Sequence, residues 1–228
     1  MILRKGNSGR KSNGGGSIRG VPLSQIDKLK GERAHLNPGE LTSDIIKQDY
    51  ARVGITIDDK TANDIHTAIY NFSFLHDTDI RKAASNIAKG KPYDDFYAEK
   101  YKLLEEYCRV APTLPSGKYY AIFRGIKMST ITPEYVQGIL ALKPGDKWDV
   151  DKMPTSFSTH YSKAKSFSGS KGIIIHMSTK GLKHSTSIKC ASRYPNENEV
   201  VVTDYNWRVS RIVDERPNYG SYHIYMEK

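Results

Sequence analysis

The chain has 228 residues, 38% of them hydrophobic, enough for one domain of ordinary size or for one domain plus a small helical subdomain. No run is long and apolar enough to cross a bilayer, and the opening Met-Ile-Leu-Arg-Lys-Gly lacks the apolar centre of a cleaved export signal, so a soluble, cytoplasmic protein is expected, in a producing or a target cell. The net charge of +10 is unevenly spread: +6 over residues 1–34, −3 over 35–116 and +7 over 117–228. A basic C-terminal half suits a polyanionic ligand such as a dinucleotide or a nucleic acid, and equally suits a solvated surface. The two cysteines, Cys108 and Cys190, lack CxxC spacing, and the seven His form no HExxH. Two free thiols and no metal site are the expectation.

Residues 1 to about 20 are rich in Gly, Ser, Asn, Arg and Lys around Gly14-Gly15-Gly16. Such a segment buries too little apolar surface to offset its ordering entropy, and 1–34 reads as a flexible basic tail. The glycines are no phosphate loop, because no Gly-Lys-Ser/Thr follows them. A helical subdomain is expected over 35–116. Ile65, Ala68, Ile69, Phe72 and Leu75 recur at helical spacing, with Thr61 and Asp64 resembling a capping box. Ile80, Ala83, Ala84 and Ile87 form a second stripe, ended by Gly90 and Pro92. Tyr97, Tyr101, Leu104 and Cys108 form a third, ended near Pro112 and Pro115.

After Pro115 the texture turns β-rich. Runs at 119–123, 155–159, 172–177, 199–203, 207–213 and 222–226 read as strands, and Thr132-Pro133-Glu134 opens a short helix. Strands at this density predict antiparallel sheets packed as a sandwich over 117–228. The class is α+β, helices first and sheets second.

Three segments carry the candidate chemistry. In Phe123-Arg124-Gly125 a guanidinium ends an apolar strand, offering a rigid fork of donors, and a glycine beside it permits close backbone approach. In 155–160, alternation puts Ser156, Ser158 and His160 on one face, where a row of hydroxyls can hold a carboxylate. In Tyr194-Pro195-Asn196-Glu197-Asn198-Glu199, two carboxylates two apart at a strand start are expected to project to one side, where repulsion raises one pKa. A carboxylate pair facing a cleft can stabilise an oxocarbenium ion and activate a nucleophile. Taken singly, each segment is more often an ordinary surface.

Taken in order, Arg124, then Ser156-x-Ser158, then Glu197-x-Glu199, the set resembles the arginine–serine–glutamate signature of the mono-ADP-ribosyltransferases related to the C3-type and binary bacterial toxins and to phage-encoded transferases. The resemblance spans about residues 119–228. It implies a helical subdomain covering a cleft for NAD, packed on a C-terminal, mostly antiparallel β-sandwich of the ADP-ribosyltransferase type. Arg124 would hold the phosphate and ribose side of NAD, and the Gly125 backbone would meet the nicotinamide carboxamide. Ser158 would hydrogen-bond and orient Glu199, and Phe167 would stack on the nicotinamide. Glu199 would bind the nicotinamide ribose and stabilise the positive charge of bond breaking. Glu197 would orient or deprotonate the acceptor, a Glu there going with arginine acceptors. The 192–195 run, with Tyr194, would recognise the acceptor. His160 stands where the family has Ser or Thr, and is left outside the site. Arg81 or Lys82 could reach a phosphate, but solvated surface charge is the preferred reading of both.

The expected activity is transfer of ADP-ribose from NAD to a protein arginine, with release of nicotinamide and no metal. The basic charge motivates an alternative acceptor, RNA or DNA. A non-catalytic basic nucleic-acid-binding module is the third reading, opposed by the complete signature. The implied partners are the target macromolecule and, for a toxin, a neutralising antitoxin, with no membrane.

Overall fold

The computed structural model describes residues 39–74, 77–114, 121–148, 153–218 and 220–228. The tail at 1–34, Leu75 of the first stripe and positions 119–120 of the first β-rich run lie outside the described residues. Among the described residues four helices come first: α1 (Ser43–Arg52), α2 (Asp59–Phe74), α3 (Asp77–Ala88) and α4 (Asp95–Val110). At a helix start a side chain can take an orphan backbone amide. Thr42 accepts from the Ile45 amide at 3.3 Å, and Asp94 from the Phe96 amide at 2.9 Å.

The start of α2 differs from the expected Thr61–Asp64 box. The helix begins before Thr61, and Asp58 Oδ1 accepts from the Thr61 amide at 2.7 Å. Asp64 pairs instead with Lys60 at 2.8 Å. A carboxylate at this end also meets the positive pole of the helix, which a threonine hydroxyl does not.

The apolar stripes of α1, α2 and α4 converge. Ile46, Tyr50, Ile65, Ile69, Phe72, Leu104 and Cys108 are buried in one cluster that also takes Ile188, Cys190 and Val201 from the β-rich half. Each large aliphatic or aromatic side chain so buried contributes roughly 1.5–3 kcal/mol. Neither cysteine forms a disulfide, both are buried in this cluster, and burial pushes the Cys108 thiol up. Among the described residues, no helix is long and apolar enough to cross a membrane.

The second half contains strands β1 (Ala121–Ile126), β2 (Thr155–Ser158), β3 (Ile173–Ser178), β4 (Ser185–Ser187), β5 (Glu199–Val202), β6 (Arg208–Asp214) and β7 (Tyr222–Glu227). Two short helices interrupt them, α5 (Pro133–Leu140) and α6 (Tyr161–Ser168). Thr132 caps α5 and Pro133 fills its first turn, as expected from the sequence.

The sheet order is β4-β5-β2-β1-β3-β7-β6, with β3 and β7 parallel and the other pairs antiparallel. The expected sandwich of separate sheets is therefore one hydrogen-bonded sheet. Among the described residues its two parts are joined by the single Phe123–Ser158 pair between β1 and β2. Phe157, Val200 and Val202 of one part nevertheless share a core with Ile175, Met177 and Ile224 of the other. A single register pair lets the sheet fold over at this seam, so both parts bury their apolar faces together.

Strand β5 is covered on both sides: Val201 faces the helical cluster while Val200 and Val202 face the sheet core. The seam and the helices that pack on β5 leave a cleft between them.

Candidate active site

Strands β1, β2 and β5 meet at the seam, and each delivers part of the site. Alternation along β2 keeps Ser156 and Ser158 on the side opposite Phe157, whose ring is buried in the sheet core. Antiparallel pairing sets Ser158 across from Glu199 and Ser156 across from Val201. The side chains do not follow that register simply. Ser156 Oγ donates to Glu199 Oε1 at 2.6 Å, whereas Ser158 Oγ donates to the Glu197 carbonyl at 2.6 Å and accepts from the His160 amide at 3.0 Å.

The serine that orients Glu199 is thus Ser156, correcting the expectation for Ser158. Ser158 has its hydroxyl committed to backbone on both sides, and fixes the turn that enters β5. Glu199 is 7% exposed, and burial, opposed by the Ser156 bond and by Arg81, raises its pKa to about 7.

Glu197 ends a 3-10 turn over Pro195–Glu197, and Asn198 is left-handed at φ 48° and ψ 51°. The two glutamates therefore do not alternate along one strand as expected. A left-handed residue between them resets the chain direction, and both still line the same cleft. Burial also raises the Glu197 carboxyl, against the opposing charge of Lys163.

Two guanidiniums face the carboxylates. Arg124 Nη1 donates to the Ser156 carbonyl at 3.1 Å, and its Nε is buried with no hydrogen-bond partner among the described residues. Arg81 reaches in from α3: its Nη2 donates to Ser156 Oγ at 3.1 Å, it pairs with Asp77 at 3.3 Å, and its guanidinium lies 5.3 Å from the Phe72 ring centroid. The chain Arg81–Ser156–Glu199 thus links the helical half to β5.

Arg81 corrects the reading of it as solvated charge. A signal exists in the sequence: it flanks the buried Ile80 and Ala84 of the α3 stripe, one turn after Asp77. Ser156 is a further site residue, named in the signature but given no role by the resemblance, although alternation places it beside Ser158.

Gly125 has a different immediate reason from the one expected. A Cβ there would lie 1.8 Å from the Ala164 carbonyl oxygen and 2.8 Å from the Ser168 amide. The close approach is that of helix α6, which carries Phe167 into the cleft wall at 50% exposure. Tyr194, 46% exposed, also lines this cleft.

Arg124, Gly125, Ser158, Phe167, Tyr194, Glu197 and Glu199, all singled out from the sequence, line this one cleft of about 340 Å³. A second, more apolar cavity of about 480 Å³, with Ile126, Ile131, Tyr135 and Met153 in its wall, shares Arg81 and Arg124 with it. The two guanidiniums therefore line both lobes, the cleft and this cavity.

No family model matches the sequence, and no curated protein matches it. Solved structures do match. An ADP-ribosyltransferase from Clostridium botulinum superposes with a TM-score of 0.54 at 16% identity, over 83% of this chain and 97% of that one. The fold is that of the ADP-ribosyltransferases. The C3 exoenzyme of Clostridium limosum gives a TM-score of 0.54 at 13% identity, over 86% of this chain and 99% of that one. Exoenzyme S from Pseudomonas aeruginosa, in a structure bound to carba-NAD, gives 0.54 at 15% identity, over 72% and 73%. At such identities the shared property is the ADP-ribosyltransferase fold, and the chemistry has to be argued from the side chains in the groove.

Proposed function

We propose that the protein is a mono-ADP-ribosyltransferase of the arginine–serine–glutamate class, which cleaves NAD at the nicotinamide ribose and transfers ADP-ribose to an arginine of a protein. The observation that carries this reading is the buried Glu199 carboxyl, held by Ser156 in a cleft whose walls also hold Arg81 and Arg124, on this fold.

NAD fits the groove chemically. Its pyrophosphate matches the two guanidiniums, one of which has a buried Nε–H without a partner. The nicotinamide ribose would lie in the lobe of Glu199 and Phe167, and the adenosine in the lobe of Ile126, Tyr135 and Met153. Glu199, ionised, would stabilise the oxocarbenium ion as the glycosidic bond breaks. Its Ser156 bond holds the carboxylate in place before charge develops, so little reorganisation is required. Phe167 would cover the departing nicotinamide. Glu197, with a carboxyl raised by burial, would take the proton of the acceptor guanidinium as its nitrogen attacks the ribose carbon.

The test is nicotinamide release and label transfer from radiolabelled NAD with a cell lysate. Wild-type protein is expected to label protein, Glu199→Gln to do neither reaction, and Glu197→Gln to keep NAD hydrolysis and lose transfer. Unchanged labelling by Glu199→Gln sinks the proposal. The net charge of +10 favours a second reading, in which the acceptor is RNA or DNA. Label removed by nuclease and resistant to protease would select it.

A further inference from the structure

Glu197 stands beside an unusual concentration of rings. Phe74, the last residue of α2, lines the cleft with Tyr194 and Glu197. Its ring centroid lies 6.3 Å from that of Tyr194 and 6.0 Å from that of Tyr70. Tyr70 and Tyr194 are 40% and 46% exposed, so this wall opens to solvent. The Arg193 guanidinium carbon lies over the Phe74 ring, 3.7 Å from its centroid. Arg193 directly precedes the tight turn that carries Glu197, closed by the Glu197 amide donating to the Tyr194 carbonyl at 2.9 Å.

Resting on the proposed arginine transfer, we infer that the face of Phe74 is the seat of the acceptor guanidinium, and that Arg193 occupies this seat until an acceptor displaces it. A planar cation is attracted to the negative face of a ring, and the attraction grows as the site is desolvated. Seated there, an acceptor guanidinium is flanked by Tyr194 and lies on the cleft wall that also holds Glu197, its proton acceptor. Phe74 is then a specificity-determining residue, and Arg193 is an internal competitor whose charge and shape match those of the substrate side chain.

The two residues have opposite expected effects, so one pair of variants tests both halves of the inference. Agmatine, a small guanidino acceptor, serves as probe, with its KM measured at saturating NAD and NAD hydrolysis measured without acceptor on the same preparations. Phe74→Leu keeps an apolar side chain of similar bulk and removes the ring face; the agmatine KM is expected to rise by about 2- to 30-fold, the span of cation–π energies from exposed to desolvated sites. Arg193→Ala vacates the seat; the agmatine KM is expected to fall at least about twofold. An unchanged or raised agmatine KM in Arg193→Ala overturns the inference, as does an unchanged one in Phe74→Leu. Loss of hydrolysis in Phe74→Leu would place the ring on the donor side and also overturn it. A wild-type protein that hydrolyses NAD and transfers nothing to agmatine refutes this inference alone, whereas one that cleaves no NAD refutes the proposed function with it.

Discussion

Ser156 and Glu199 lie on neighbouring antiparallel strands and are joined diagonally by a hydrogen bond of 2.6 Å, although the residue directly opposite Glu199 is Ser158. This offset separates two tasks. Ser156 acts on the carboxyl of Glu199, and Ser158 acts on the backbone of Glu197.

The first prediction follows from that separation. Ser156→Ala removes a bond that lowers the Glu199 pKa, so the pKa climbs further above about 7 and the rising limb of kcat/KM for nicotinamide release moves to higher pH. Ser158→Ala leaves the Glu197 carbonyl without its donor, costs about 1–3 kcal/mol, and loosens the turn. Acceptor transfer should fall more than NAD hydrolysis. Paired pH profiles of the two reactions distinguish the variants, and identical profiles would contradict the division.

On the proposed mechanism the ionised Glu199 is the active form, so wild-type kcat/KM for NAD cleavage should rise with pH through about 7, since burial holds the carboxyl protonated below that pH. A profile already flat between about pH 5 and 8 would show that Glu199 is ionised throughout, against the burial that raises it.

Stability should move the other way. A carboxyl raised in the folded state contributes stability that is complete below its unfolded pKa and is lost as pH rises through the folded value. The loss runs between 4.5 and about 7 for Glu199, and amounts to the order of 3 kcal/mol. Glu199→Gln resembles the protonated acid, so urea unfolding should find it more stable than wild type at about pH 8 and similar at about pH 4.5. Catalysis and stability would then be opposed at one side chain.

Gly125→Ala should be severe. Its Cβ would meet the Ala164 carbonyl at 1.8 Å, and the contact is backbone, which cannot rotate away. Helix α6 has to shift, taking Phe167 with it. We expect a loss of at least about 2 kcal/mol by thermal unfolding, together with weaker NAD binding by calorimetry in whatever folds. Full stability with normal binding would contradict the close approach.

How much of this is legible in the sequence depends on distance along the chain. The apolar stripes from Ile65 to Phe72 and from Ile80 to Ala84, and the Thr132-Pro133 start of α5, are readable because helices bury every third or fourth residue and cap locally. Helix α6 is not, because Tyr161–Ser168 has almost no apolar stripe; only Ala164 and Ser168 are buried, against β1 at Gly125. The cap of α2 falls to Asp58 rather than the expected Thr61 because the helix already begins at Asp59, which leaves Thr61 inside its first turn.

By itself the sequence determined the class of elements and the order Arg124, Ser156 and Ser158, Glu197 and Glu199, since strand alternation and helical periodicity are local properties of the chain. Only the tertiary structure decided which serine holds Glu199, that the sheet is continuous through the Phe123–Ser158 pair, that Arg81 joins the site from 75 residues away, and that Arg193 rests on Phe74. Those facts depend on register and on packing between distant segments, and no local pattern of residues encodes the competition among hydroxyls, guanidiniums and backbone carbonyls that settles them.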